Sequence, residues 1–154
     1  MTEVTDNMQK YANYREQMGR LSKAMNNGFY LEAIFIEYAI IEDRLESVLR
    51  HSGRWNPKPG KSVTIYRKVK LVEKLAEQKK SPAQHYFTSE LTREILQWKD
   101  DRNDLIHALL KQSLHTEDLR TVAEKGQTLA KTLRTQTTYY NRALERLSPE
   151  AKTE

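Results

Sequence analysis

The sequence predicts an all-α protein, a bundle of four or five helices that forms one domain over residues 1–154. A chain of 154 residues has the length of one ordinary domain. Helix-breaking residues are scarce: there are five glycines and four prolines, and three of the glycines and two of the prolines lie between residues 28 and 60. Apolar residues recur three and four positions apart, and no segment alternates as a strand would.

Two helices are expected in the first third of the chain. The first covers residues 6–26 and ends at the turn pair Asn27-Gly28. The second covers residues 29–51 and is the most apolar segment, which predicts that it lies at the centre of the bundle. Its apolar residues are Leu31, Ile34, Phe35, Tyr38, Ile41, Leu45, Val48 and Leu49.

Further helices are expected after a long loop at residues 52–61, which is rich in turn residues. One spans residues 65–79, with its apolar side chains inward and its lysines outward. Another spans residues 81–109, because a proline that follows a serine favours a helix start. The last spans residues 116–147, with Thr116 as its cap.

The chain carries a net charge of +5, and its positive charge is concentrated in one segment. Residues 50–80 contain ten basic and two acidic side chains, a net charge of +8, whereas the remainder carries −3. Such a segment indicates an acidic polymer as partner, and a basic loop with an aromatic side chain suits RNA. The residues predicted to bind RNA are Arg50, Arg54, Trp55, Lys58, Lys61, Arg67 and Lys68.

Several function classes are excluded by what the chain lacks. It has no cysteine, which excludes a disulfide scaffold, thiolate catalysis and cysteine-ligated zinc. It has no glycine-rich phosphate loop, and its four histidines are not paired at metal-ligand spacing, so neither metal nor cofactor is expected. No apolar run reaches 18 residues and no signal-peptide pattern opens the chain, so a cytoplasmic protein without a membrane segment is expected.

The most informative pattern lies near the end of the helix expected at residues 81–109. Arg102 is followed by the polar Asn103, and His107 stands five positions after the arginine. Another arginine, Arg44, precedes His51 by seven positions, but an apolar residue follows it. Arg102 is therefore the arginine that combines a polar neighbour with a histidine at short spacing.

This pattern resembles the signature of the HEPN family, small all-α ribonuclease and toxin domains. In that signature an arginine is followed by a polar residue, then by three to five further residues, and then by a histidine. A helical chain of this length with the motif on its penultimate helix also resembles the family in architecture. The resemblance implies a HEPN-like bundle, a homodimer with a composite site across the two-fold axis, and a possible antitoxin protein as partner.

The residue types fit metal-independent cleavage of single-stranded RNA. A histidine with the ordinary pKa of about 6.5 can take the proton of a ribose 2′-hydroxyl or deliver one to the leaving oxygen. An arginine is always charged and can hold a phosphate. In this hypothesis His107 is the acid and base, Arg102 clamps the phosphate, and Asn103 positions by hydrogen bonding. Asp104, or a carboxylate of the central helix (Glu37, Glu42 or Asp43), would orient the arginine.

The spacing sets a geometric condition on that hypothesis. Five positions on a regular helix leave Arg102 and His107 about 140° apart. A helix restart at Asp101, with Asp104 as its capping partner, would let both side chains point into one cleft. A two-fold dimer would instead join the arginine of one copy with the histidine of the other.

Other interpretations of the same residues stay open. Arg102 could form a helix ion-pair network with Asp100, Asp101 and Glu94. The chain could also be a HEPN-like module that binds RNA or a protein without cleaving anything.

A third function class follows from two acidic pairs. Asp43 with Glu46, and Asp101 with Asp104, stand three positions apart on separate helices. All-α nucleotide pyrophosphohydrolases resembling the MazG family gather such carboxylates around Mg²⁺.

Overall fold

The computed structural model describes residues 7–111 and 115–147, and these residues form helices and connections without a strand. The helices are α1 (Asn7–Asn26), α2 (Tyr30–His51), α3 (Ile65–Glu77), α4 (Ala83–Tyr86), α5 (Ser89–Ala108) and α6 (Thr116–Arg146). The all-α prediction is confirmed. Within this part of the chain, no helix is both long enough and apolar enough to cross a lipid bilayer.

The helix expected at residues 81–109 is divided in two. The short α4 ends at Tyr86, and the next residue, Phe87, has a φ of −116° and a ψ of 77°, which are not helical. A new helix then begins because the Thr88 hydroxyl accepts a hydrogen bond from the Leu91 amide at 3.2 Å, an ordinary N-cap. The sequence prediction missed this threonine and therefore predicted one helix where two exist.

Two predicted boundaries also differ. The third helix ends at Glu77 rather than at residue 79. The last helix has His115 at its N-cap position with no side-chain cap, and Thr116 is already its first helical residue. The prediction that Thr116 caps this helix is therefore wrong.

The helix α2 occupies the centre, as its apolar sequence predicted. The helices α1, α3 and α6 all pack against it, and its contact with α6 is the most extensive between any two helices described. Its buried residues are Ala33, Ile34, Glu37, Ile40, Ile41, Leu45, Val48 and Leu49.

The two central helices, α2 and α6, run parallel. Glu37 of α2 lies against Gly126 of α6. About four turns further along both helices, the Tyr140 side chain of α6 lies beside Ser52 at the end of α2. The other long helices cover this pair, and α5 is tied to α6 by a hydrogen bond of 3.0 Å from the Trp98 indole to the Val122 carbonyl.

Candidate functional site

The predicted restart of the helix at Asp101 is absent, because α5 continues without a break from Ser89 to Ala108. The Asp101 carboxylate accepts a hydrogen bond from Gln97 at 3.0 Å, one turn before it on the same helix. Within one chain, Arg102 and His107 therefore keep the separation of about 140° that a regular helix imposes.

The Arg102 side chain is held over two aromatic rings of α2. The centre of its guanidinium lies 3.9 Å from the centroid of the Tyr38 ring and 5.8 Å from that of Phe35. Its Nη1 donates a hydrogen bond to the Asn103 side-chain oxygen at 3.0 Å. The pattern of α5 alone could not identify Tyr38, because the contact joins residues more than sixty positions apart in the chain.

Burial decides the electrostatic state of this guanidinium. The Nε atom of Arg102 is buried and has no hydrogen-bond partner among the described residues. Desolvation lowers the pKa of Arg102, and the nearby Tyr38 and Glu42 oppose that change. An arginine stays charged through shifts of this kind, so the site holds a partly desolvated cation.

The ion-pair network considered as an alternative for Arg102 does not form. Asp100 pairs with Lys99 at 2.9 Å, and Glu94 pairs with Lys125 of α6 at 3.4 Å. With Asp101 occupied by Gln97, no carboxylate oxygen in the described chain comes within ion-pair distance of Arg102.

The carboxylates proposed to orient Arg102 do not contact it. Asp43 pairs with its neighbour Arg44. Asp104 is exposed to solvent on α5. The α2 side chains that act on Arg102 are the rings of Phe35 and Tyr38 and, through its charge, Glu42.

His107 lies in the last turn of α5 with its side chain exposed. No hydrogen bond joins it to Arg102 in the described structure. One copy of the chain therefore presents the predicted acid–base group on a different face from the predicted phosphate clamp.

A cleft of about 340 Å³ forms where the loop after α2 meets α3, and we call it the basic cleft. It brings together five of the seven residues predicted to bind RNA, and none of its lining residues is acidic. Its lining residues are Arg54, Trp55, Asn56, Pro57, Lys58, Lys61, Ser62, Val63, Arg67 and Leu71.

Lys68 does not face solvent, and the prediction that the lysines of α3 point outward is wrong for this residue. Its side chain is only 3% exposed, and its ammonium pairs with Glu46 at 2.8 Å and Glu42 at 3.4 Å. The same ammonium lies 5.6 Å from the centroid of the Trp55 ring. A signal existed in the sequence, since position 68 falls on the buried stripe with Ile65.

Arg50, the remaining predicted RNA contact, lies outside the lining of the basic cleft. Its guanidinium pairs with Glu46 at 3.1 Å on the surface of α2. Glu46 thus pairs with both Arg50 and Lys68. An acidic residue of the same chain therefore offsets the charges of these two side chains.

Three of the four acidic residues that suggested a magnesium site are engaged elsewhere. Asp43 binds Arg44, Glu46 binds basic residues, and Asp101 accepts from Gln97. In residues 7–111 and 115–147, no group of three or more potential ligands is placed to hold a metal ion. This arrangement does not favour the magnesium-dependent hydrolase.

No family model, no curated protein and no solved structure matches the chain. Any assignment of function therefore depends on the residues of the chain itself.

Proposed function

We propose that the protein is a HEPN-like endoribonuclease that cleaves single-stranded RNA without a metal ion. The observation that carries this proposal is the state of Arg102. Its guanidinium is fixed over the Tyr38 ring at 3.9 Å and is bonded to the Asn103 side chain, yet it has no carboxylate partner in the described chain. A fixed cation without an ion-pair partner is suited to bind a phosphate and to stabilise charge that develops on it.

The reaction proposed is attack by the ribose 2′-hydroxyl on the adjacent phosphorus. The imidazole of His107 removes the 2′-hydroxyl proton, the bond from O2′ to phosphorus forms, and the bond from phosphorus to O5′ breaks. A protonated imidazole returns the proton to the leaving oxygen, which yields a cyclic phosphate and a 5′-hydroxyl end. Arg102 binds the phosphate oxygens and Asn103 fixes the guanidinium. DNA lacks the nucleophile and is not cleaved.

The separation of Arg102 and His107 on α5 points to a homodimer. A two-fold axis near the exposed end of α5 would place His107 of one copy beside Arg102 of its partner. The exposed position of His107 and the partly exposed position of Arg102 are compatible with such a contact. The composite site would then contain two equivalent arginine–histidine sets.

The basic cleft would hold the strand that is cut. Arg54, Lys58, Lys61 and Arg67 can bind successive phosphates, and Trp55 offers a ring face for an unstacked base. No acidic side chain lines the cleft, which favours an anionic ligand.

The test is incubation of the protein with single-stranded RNA in the presence of EDTA. We expect cleavage that leaves cyclic phosphate ends, no cleavage of DNA with the same base sequence, and loss of activity in both Arg102→Ala and His107→Ala. Arg93→Ala and His115→Ala are matched controls, because both residues are exposed and lie outside the proposed site. Cleavage that requires Mg²⁺, or that persists in both site variants, would contradict the mechanism.

A non-catalytic module that binds RNA or a partner protein, such as an antitoxin, is the second candidate. It is favoured by the different directions of Arg102 and His107 within one chain. Mixing the two single variants separates the candidates, provided that the dimer exchanges subunits. A composite site regains activity in the mixed dimer, because one of its two sites is then intact, whereas a binding module shows no cleavage in any combination.

A further inference from the structure

A second cleft, separate in its lining residues from the basic cleft, lies between α1 and α6. It has a volume of about 390 Å³ and is lined by Tyr11, Tyr14, Arg15, Met18 and Arg134. We call it the tyrosine–arginine cleft. A volume of this size lies within the range of small-ligand pockets.

The cleft lies where the start of α1 no longer packs against the core. Tyr11, Tyr14 and Met18 continue the stripe that buries Leu21 further along α1. Towards the start of the helix this stripe leaves the core, and the Tyr11 ring is 63% exposed. Arg134 of α6 forms the opposite wall, so the cleft has an aromatic side and a cationic side.

Tyr14 lines the cleft between two arginine side chains. Its ring lies 4.8 Å from the guanidinium of Arg44 and 5.5 Å from that of Arg134, measured to the ring centroid. Its hydroxyl oxygen is buried and has no hydrogen-bond partner among the described residues. Because this oxygen is closed to solvent, Tyr14 presents its ring rather than its hydroxyl to the cleft.

The charge of the cleft is also uncompensated. Arg44 is neutralised by Asp43, but Arg15 and Arg134 form no ion pair in the described chain. No acidic side chain lines the cleft. Two guanidinium groups without ion-pair partners therefore line a cleft that also has an exposed aromatic ring.

We propose that the tyrosine–arginine cleft binds the 5′-phosphorylated end of an RNA strand. A phosphate monoester carries about two negative charges at neutral pH, which matches the two free guanidinium groups better than the single charge of an internal phosphodiester. Guanidinium groups bind phosphate oxygens through paired hydrogen bonds. The terminal base stacks on Tyr11.

This inference rests on the proposed function for its choice of RNA as the polymer, but its test does not depend on cleavage. The probe is a short 2′-O-methyl RNA, which cannot be cut by 2′-hydroxyl attack, prepared with a 5′-phosphate or with a 5′-hydroxyl. We expect the phosphorylated strand to bind about tenfold more tightly, as expected for the loss of charged hydrogen bonds. AMP and inorganic phosphate are titrated in parallel to separate the terminal nucleotide from the anion alone.

The variants assign the preference to the cleft. Arg15→Gln and Arg134→Gln should each abolish it. Arg20→Gln is the matched control, because this exposed arginine on α1 already pairs with Glu16. Circular dichroism and thermal melting of each variant verify that the fold is retained.

Three results would overturn the inference: equal affinity for the two strands, a preference that survives in both arginine variants, or inorganic phosphate that binds as tightly as AMP. AMP that binds as tightly as the strand would show that the terminal nucleotide alone supplies the contacts. A protein that fails to cleave RNA but prefers the phosphorylated strand refutes the nuclease proposal alone. Cleavage without this preference refutes only the role of this cleft.

Discussion

Gly126 of α6 lies directly against the carboxyl group of Glu37 on α2. A Cβ atom at position 126 would overlap a Glu37 carboxyl oxygen and would come within 2.8 Å of the Trp98 ring. Glu37 itself is fully buried, and neither of its carboxyl oxygens has a hydrogen-bond partner in the described chain. The glycine therefore permits the close approach of the two central helices, and the space it leaves is filled by a polar group.

Replacing Gly126 tests that close approach. We expect Gly126→Ala to destabilise the protein by about 1–3 kcal/mol, because the added methyl group overpacks the interface by more than it gains in helix propensity. Chemical denaturation measures the change. Gly19→Ala on the exposed face of α1 is the control, since nothing lies within 4 Å of its added Cβ. It should stabilise by roughly 0.5–1 kcal/mol, and equal effects of the two substitutions would refute the packing argument.

The buried carboxyl group predicts an unusual dependence of stability on pH. Burial raises the pKa of Glu37 from 4.5 to about 9. Between these values the folded state binds one more proton than the unfolded state, so this group makes the free energy of unfolding fall as pH rises, by about 1.4 kcal/mol per unit. Glu37→Gln should remove this slope and should be more stable at pH 7, on the order of 3 kcal/mol.

Urea denaturation at pH 5, 7 and 9 measures the effect of Glu37→Gln. Glu32→Gln is the control on the same helix, because Glu32 is exposed. An unchanged slope in Glu37→Gln would show that Glu37 is ionised in the folded protein.

The buried position of Lys68 predicts that its replacement lowers stability, whereas the sequence alone predicted that it contacts RNA. Lys68→Met leaves Glu42 and Glu46 without their shared cation, and we expect destabilisation of about 1–3 kcal/mol, less than for a fully buried pair because both carboxylates are partly exposed. The change should also alter the fluorescence of Trp55, over which the ammonium lies. Lys74→Met, at an exposed position of the same helix, should change stability by less than about 0.5 kcal/mol.

RNA binding at the basic cleft predicts a specific salt dependence. Lys61→Gln should reduce the slope of log affinity against log salt by about 0.7, the value expected for one phosphate contact on a single strand. Lys131→Gln, an exposed lysine on α6 outside both clefts, should leave the slope unchanged. Filter binding at four or more salt concentrations measures it, and the same slope in both variants would place the RNA elsewhere.

The sequence predicted the helices well and their ends less well, for a physical reason. The periodicity of α2 identified the central helix, because a helix surrounded on most sides needs apolar residues on most sides. The split at Thr88 depends on one hydroxyl that accepts a hydrogen bond from a backbone amide. This local interaction does not alter the hydrophobic pattern of the sequence. A single capping residue therefore moved a boundary that the pattern could not resolve.

The site was predictable in its composition and not in its contacts. The loop residues Arg54 and Trp55 were identified from charge and aromatic character, and the structure gathers them in one cleft. The Tyr38 ring beneath Arg102 and the acids around Lys68 join distant parts of the chain, and one sequence contains no signal for such pairs. Long-range contacts determine which arginines and lysines form ion pairs within the protein. The side chains in such pairs are structural, and the others are available to bind a ligand.

The parallel arrangement of α2 and α6 has a consequence for how the chain acquires its structure. The two helices are separated by residues 52–115, so their interface forms only after a long segment has closed into a loop. Neighbouring helices such as α1 and α2 can pair as soon as both exist, whereas the main interface is a late, non-local event that slows folding. During synthesis the apolar side of α2 therefore stays uncovered until the last helix has left the ribosome. In that interval the protein is most prone to aggregation.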